Sequence, residues 1–264
     1  RLSAAEPRDP VNVAVIGVMG MGHFHVRSLV ARDDARISYL CDVDQSVLEK
    51  AAKTVEDAKR KAPKLVGDFR RVLEDKTVEA VVIATPNHWH CPIALRAMQA
   101  GKDVYIEKPA SHVFREGQVL IESARKHKRI VQHGTQMRSS AVTAKAAEIL
   151  ASGLLGEIKM AKAWNVQQQN KPQPKKDAPV PAGIDYDTWL GPAPKRAFNP
   201  NRYNRTWRCY RDYGNGDIGD DGVHDLDMAR WALKETTHPV RITAHGSRVD
   251  LEGDFEIPDN MTVT

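Results

Sequence analysis

The 264-residue chain carries 39 lysines and arginines against 34 aspartates and glutamates, a formal charge of +5 spread along the text, which does not mark a nucleic-acid binder. Apolar residues make up 41% and charged residues 28%, with 17 glycines and 15 prolines scattered, a balance that can bury a core and excludes wholesale disorder or a fibrous repeat. No apolar run approaches the roughly 20 residues of a membrane-spanning helix, and the three cysteines, Cys41, Cys91 and Cys209, are odd in number and lack metal spacing, so neither a membrane span, a zinc site nor a disulfide framework is expected.

Residues Arg1 to Pro10 are polar and lack the apolar centre of a signal peptide, while their Ser/Ala stretch fits a remnant left after signal removal. The compartment stays open between cytoplasm and periplasm. From Val11, short β-branched runs alternate with helical stretches: strand Val11 to Ile16, helix Gly22 to Ala31, strand Ile37 to Cys41, helix Val43 to Lys61, strand Glu79 to Ala84. The alternation continues with helix Pro92 to Ala100, strand Asp103 to Ile106, helix Phe114 to Lys126 and strand Ile130 to His133. This is the pattern of βαβ units on a parallel sheet, and it predicts a six-stranded, nucleotide-binding α/β domain over residues 1–136, of which these runs name five strands.

After 136 the rhythm changes. A helix is expected over Ala141 to Ala151, a strand over Glu157 to Val166, a helix over Gly222 to Lys234, and strands over Val240 to Val249 and Met261 to Thr264. Between them Gln167 to Gly216 is irregular and rich in Pro, Asn, Arg and aromatics, a length that points to function or disorder rather than a simple connector. Within it Lys171 to Lys176 reads as a solvated loop. Residues 137–264 are thus assigned to a second, α+β domain, and because the text stops inside a strand pattern that domain is expected to continue past Thr264.

The first strand runs into Gly17-Val-Met19-Gly20-Met21-Gly22, a glycine turn opening a helix, where small residues let the backbone approach a pyrophosphate and the helix N-terminus attracts its charge. Met19 stands where the usual G-x-G-x-x-G has its second glycine, so the context carries the assignment. Asp42 ends the second strand about 20 residues on, where a carboxylate accepts the adenosine ribose hydroxyls. With no arginine beside it to take a 2′-phosphate, NAD is favoured over NADP. Thr85-Pro86-Asn87-His88-Trp89-His90 and Glu107-Lys108-Pro109 follow at the carboxyl ends of later strands, where open α/β sheets place their ligands. Thr85, Pro86, Asn87 and His90 are assigned to the cofactor and His88 to the substrate, Trp89 walls the site or fills the core, and His23 and His25 are assigned to capping or packing.

Further on, Asp220 and His224 stand four apart, a spacing that puts both on one face of a helix. Histidine titrates near neutral pH, which suits the base that takes a hydroxyl proton as hydride leaves the same carbon. Asp227, a turn beyond, is assigned a structural hydrogen bond. The arginines and aromatics of Asn201 to Tyr213 can stack on sugar rings or grip a carboxylate, which nominates Arg208 and Tyr210 for substrate. The Asp and His residues match no standard ligand spacing, so no metal is expected.

The glycine turn, Thr85-Pro86, Glu107-Lys108-Pro109 and Asp220-x-x-x-His224 together closely resemble the Gfo/Idh/MocA oxidoreductases, the family of glucose-fructose oxidoreductase and inositol dehydrogenase, from about residue 11 to the end. The resemblance implies a Rossmann domain followed by an α+β domain with a mostly antiparallel open sheet that covers the nicotinamide and holds a sugar or polyol. By the same resemblance Glu107 contacts the cofactor, Lys108 lies beside the reacting carbon and stabilises the alkoxide, and Pro109 follows a peptide bond often cis in the family. It also implies a homodimer or homotetramer.

The expectation is an NAD-dependent oxidation of a secondary hydroxyl on a sugar, glycoside or polyol, with Lys108, Asp220 and His224 catalytic. Two rivals differ in observables: a glycosidase or lyase of the same family that oxidises the ring transiently with retained NAD, and a dinucleotide sensor or scaffold without catalysis.

Overall fold

The computed structural model describes residues 9–166, 173–203, 205–249 and 252–264, so Arg1 to Arg8 of the expected leader remnant and two residues of the Lys171 to Lys176 loop lie outside the described residues. The elements of the first half are β1 (Val11–Ile16), α1 (Met21–Val30), β2 (Ala35–Cys41), α2 (Gln45–Asp57), β3 (Lys64–Val66), α3 (Phe69–Glu74), β4 (Ala80–Ile83), α4 (Asn87–Gln99), β5 (Asp103–Glu107), α5 (Phe114–His127) and β6 (Val131–Gly134). The strands form one six-stranded sheet in the order β3-β2-β1-β4-β5-β6, with β2, β3, β1, β4 and β5 paired in parallel. This is the strand order of a Rossmann fold, in which the sequence reverses direction between β1 and β4.

Successive side chains of a strand point to opposite faces, and both faces are covered. On one, Ala14, Ile16, Val81, Ile83, Val104 and Ile106 meet Val72 of α3 and Ile93, Ala97 and Met98 of α4. On the other, Val13, Val15, Ile37 and Leu40 meet Val26 of α1 and Leu48, Ala51 and Val55 of α2. Each of the Val, Leu, Ile and Met side chains taken out of water here contributes about 1.5–3 kcal/mol against chain entropy. Helix starts follow capping chemistry: Asp44 accepts from the backbone of Ser46 and Val47 at α2, Asp68 from Arg70 at α3, and Glu116 reaches back from α5 to the His112 and Val113 amides.

The second half holds a 3₁₀ turn at Gln136–Ser139, then α6 (Ala141–Ala151), α7 (Tyr186–Leu190), α8 (Pro200–Tyr203), a second 3₁₀ turn at Arg205–Cys209, α9 (Gly216–Asp220), α10 (Gly222–Leu233), β7 (Ala244–Ser247) and β8 (Asn260–Val263). β7 and β8 pair antiparallel. The strand expected over Glu157 to Val166 is absent: these residues carry no ladder and leave Trp164 76% and Val166 90% exposed, because an extended run becomes a strand only when another strand closes its hydrogen bonds.

The chain divides into two compact units, one of residues up to His133 with Pro179–Phe198, the other of Gly134–Ala178 with Asn199–Thr264. Pro179–Phe198, assigned from sequence to the second domain, therefore packs with the first.

Candidate active site

The glycine turn is dictated by space. Gly17, at φ 79°, lies so close to the end of β4 that a Cβ there would stand 2.8 Å from the Ala84 carbonyl and the Thr85 amide, and a Cβ on Gly22 would stand 1.7 Å from the Gly17 oxygen. Gly20 differs: at φ 55° it begins α1, and beyond its Cβ position there is open space. Its neighbours Met19 and Met21 are exposed, and no side chain among the described residues caps the helix, so the turn presents a helix N-terminus fitted to an anion.

Asp42 is held on two sides. Its Oδ2 accepts from the Val18 amide at 2.8 Å and its Oδ1 from the Asp44 amide at 3.1 Å, which ties the end of β2 to the glycine turn. Burial pushes its carboxyl above the ordinary range, and these amides pull it back. Across the sheet, Thr85 follows β4 with its Oγ1 buried and without a partner among the described residues. Open space at Gly20, a fixed carboxylate at Asp42 and a buried hydroxyl at Thr85 together fit a dinucleotide laid along the carboxyl edge of the sheet.

Helix α4 begins at Asn87, five residues before the expected start, and holds Pro92 inside it. Pro86 stands immediately before the helix, while Asn87, His88 and His90 are buried on its first turn rather than on a loop. His90 contacts two carbonyls, that of Pro109 through Nδ1 at 2.6 Å and that of Thr85 through Nε2 at 2.7 Å, so it bridges the ends of β4 and β5. His88, nominated for substrate, is 3% exposed with Nε2 3.0 Å from the Trp189 carbonyl, and Trp89 donates to the carbonyls of Thr188 and Trp189. Residues 179–198 thus bury His88 and hold the Trp89 indole by hydrogen bonds.

Glu107 is 4% exposed, and its Oε1 lies 2.7 Å from Nε2 of His25. Its other oxygen accepts from the Lys108 amide, and the Lys108–Pro109 bond is cis. His25 thus has a partner 82 residues away, which no local pattern announces.

In the second unit Asp220 ends α9 and His224 lies on the first turn of α10, with Asp221 (φ −104°, ψ −39°) interrupting the single helix expected there. Asp220 is 9% exposed and accepts from Arg208 Nε at 2.5 Å, while Arg208 also covers the Trp207 ring at 4.3 Å. Arg208 is thereby a partner of Asp220. The Nδ1 of His224 is buried without a partner among the described residues. Tyr210, nominated for substrate, is 2% exposed within an aromatic group with Tyr213 and Phe255, and its hydroxyl donates to Asp254. It is a core residue; interleaving with arginines does not by itself separate a binding surface from a core whose polar tips need partners. Asp227 takes both of its oxygens to Arg138 at 2.7 Å, a structural pair.

Two models of one family match the chain in succession, "Oxidoreductase family, NAD-binding Rossmann fold" over residues 11–135 and "Oxidoreductase family, C-terminal alpha/beta domain" over residues 125–253. A Glycosyl hydrolase family 109 protein of Saccharopolyspora erythraea is 30% identical over 162 residues, 59% of this chain and 35% of that protein. An Alpha-N-acetylgalactosaminidase of Shewanella oneidensis is 25% identical over 158 residues, 58% of this chain and 34% of its own length. The matched stretch spans about a third of these curated relatives. GenD2 from gentamicin A biosynthesis, solved in complex with NAD, shares the fold with a TM-score of 0.71 at 22% identity, over 97% of this chain and 62% of that one. The chain belongs to the Gfo/Idh/MocA oxidoreductase family and carries its NAD-binding Rossmann domain.

Proposed function

We propose that this chain takes part in NAD-dependent oxidation of a secondary hydroxyl on a sugar, glycoside or polyol. NAD, when bound, supplies the hydride acceptor. The chain's own residues do the rest: the glycine turn and α1 hold the pyrophosphate, Asp42 accepts the adenosine ribose hydroxyls, and Thr85 donates its hydroxyl to the cofactor. Glu107, anchored on His25, presents Lys108, whose ammonium hydrogen-bonds the substrate oxygen as negative charge develops there. His224 takes the hydroxyl proton through its ring, and Asp220, held by Arg208, orients the substrate. The second unit is read as part of a mostly antiparallel open sheet that contributes substrate contacts and supports a homodimer or homotetramer.

The observation that carries the chemistry is His224: a titratable ring with a buried nitrogen that has no partner among the described residues, on the unit matched by the family's second domain. A base needs such an atom left available for a substrate proton.

A second reading is favoured by the names of the curated relatives, glycosyl hydrolase and α-N-acetylgalactosaminidase. In it the same oxidation is transient, the glycosidic bond is cleaved by elimination and hydration, and the hydride returns. Mass spectrometry of small molecules released on denaturation, followed by a carbohydrate panel, separates the two. Net NADH supports the dehydrogenase, cleaved glycoside without NADH supports the second reading, and unchanged turnover in Lys108→Ala overturns both.

A further inference from the structure

Residues 179–198 leave the second unit after Ala178, cross the first, and return at Asn199. They are fastened at two places. At one, Ile184 forms an antiparallel bridge with Asp44, Gln45 N–H donates to the Gly183 carbonyl at 3.0 Å and Asp185 N–H to the Val43 carbonyl at 2.9 Å. At the other, the carbonyls of Thr188 and Trp189 accept from the Trp89 indole at 3.1 and 3.0 Å, and the Trp189 carbonyl also meets His88 at 3.0 Å. Between the anchors the segment is held by its own contacts: Asp185 caps the short helix α7, Tyr186 stacks on Trp189, and both residues are 6% exposed. Gly191 ends it at φ 50°, with Trp89 so close that a Cβ would stand 2.0 Å from the indole.

The first anchor is the turn after β2, two residues from Asp42; the second is the first turn of α4, just past Thr85. In the sheet order these flank β1 and its glycine turn. The two halves of a Rossmann sheet receive the two halves of a dinucleotide, so one anchor stands on the adenosine side and the other on the nicotinamide side.

We propose that this strap is a positioning element for NAD: it fixes the distance between the adenosine-side and nicotinamide-side walls, so that a molecule touching both walls meets a preformed site. Side chains at the two anchors act through backbone placement and need not touch the cofactor. A ligand that occupies one wall alone, such as AMP, gains nothing from the strap, because preorganisation reduces the ordering cost only of a ligand that spans the ordered elements.

The test is calorimetric titration of NAD and AMP into the intact chain and into Trp89→Phe, which keeps an aromatic ring against Phe69 and removes the indole N–H that binds both strap carbonyls. NAD binding is expected to weaken about tenfold, the cost of about one hydrogen bond, while AMP binding stays within twofold. Gly191→Ala, which drives the strap off the indole, is expected to act in the same direction and serves if Trp89→Phe does not fold. Unchanged NAD affinity in the variants overturns the proposal, as does an equal weakening of NAD and AMP that tracks a lowered Tm. Failure of the unaltered chain to bind NAD would instead sink the cofactor site itself, and the strap's role with it.

Discussion

Nε2 of His25 and Oε1 of Glu107 lie 2.7 Å apart, joining the helix that follows the glycine turn to the strand end that carries Lys108. The two side chains are 13% and 5% exposed. Without the imidazole, Glu107 keeps only the Lys108 amide as a donor among the described residues, at 3.2 Å, and a poorly paired buried carboxylate is costly. His25→Ala is expected to lower stability in urea by about 3 kcal/mol, and His25→Gln, which restores a donor, by less. Equal stability of His25→Ala and the unaltered chain would show that the pair contributes nothing.

The three glycines of the turn separate by what surrounds them. Gly22→Ala places a methyl 1.7 Å from a carbonyl oxygen and is expected to prevent the turn from forming, with loss of NAD binding and a lowered Tm. Gly20→Ala meets no atom within 4 Å among the described residues and carries the strain of φ 55°, ψ −113°, about 1–3 kcal/mol. Its methyl projects into the open space before α1, so it is expected to weaken NAD binding more than it lowers stability. Thermal melts beside NAD titrations of both variants check the contrast.

His90 gives the fold an acid sensitivity. Burial holds its ring below the usual histidine range, outweighing the pull of the two carbonyls and Glu107 toward the charged form. The unfolded ring titrates near pH 6.5 and takes up a proton that the folded ring resists, so its contribution is full above about 6.5 and shrinks as pH falls through that value. Stability measured from pH 8 down to 5.5 is expected to decline on the acid side with a slope of at most about 1.4 kcal/mol per pH unit from this group. His90→Gln flattens that decline; identical acid limbs would contradict the assignment.

Arg208 is expected to matter for activity through Asp220. The guanidinium both packs on Trp207 and donates to a carboxylate that is 9% exposed, and lysine reproduces neither geometry. Arg208→Ala is expected to lower kcat/KM about a hundredfold, equivalent to about 3 kcal/mol, with Arg208→Lys recovering only part. Full recovery by lysine would mean that charge alone suffices.

Much of the first unit was legible because its signals are local. The turn from Gly17 to Gly22 follows a β-branched run and opens a helix, and Asp42 stands at the end of the next strand, so strand, turn and helix follow from the local pattern. Helix α4 was placed late because Pro92 reads as a helix start, whereas here it sits in the interior. What stayed hidden depends on partners distant in sequence. His25 meets Glu107 across 82 residues, His88 meets Trp189 across 101, and nothing in either short stretch names the other. The strap carries one readable sign, Asp185 three residues before Thr188 and closed by Gly191-Pro192, which marks a short capped helix but not the surface it packs on. Tyr210 shows the converse, a residue whose composition suits a binding face and whose burial makes it core.

The most direct measurement is isotope transfer. The intact chain is incubated with NAD and carbohydrates deuterated at their ring carbons, and the nicotinamide is recovered and weighed by mass spectrometry. Oxidation at a secondary hydroxyl predicts deuterium on the nicotinamide from at least one carbohydrate, lost in Lys108→Ala and His224→Asn. NAD that binds yet acquires deuterium from no carbohydrate in the panel would contradict the account.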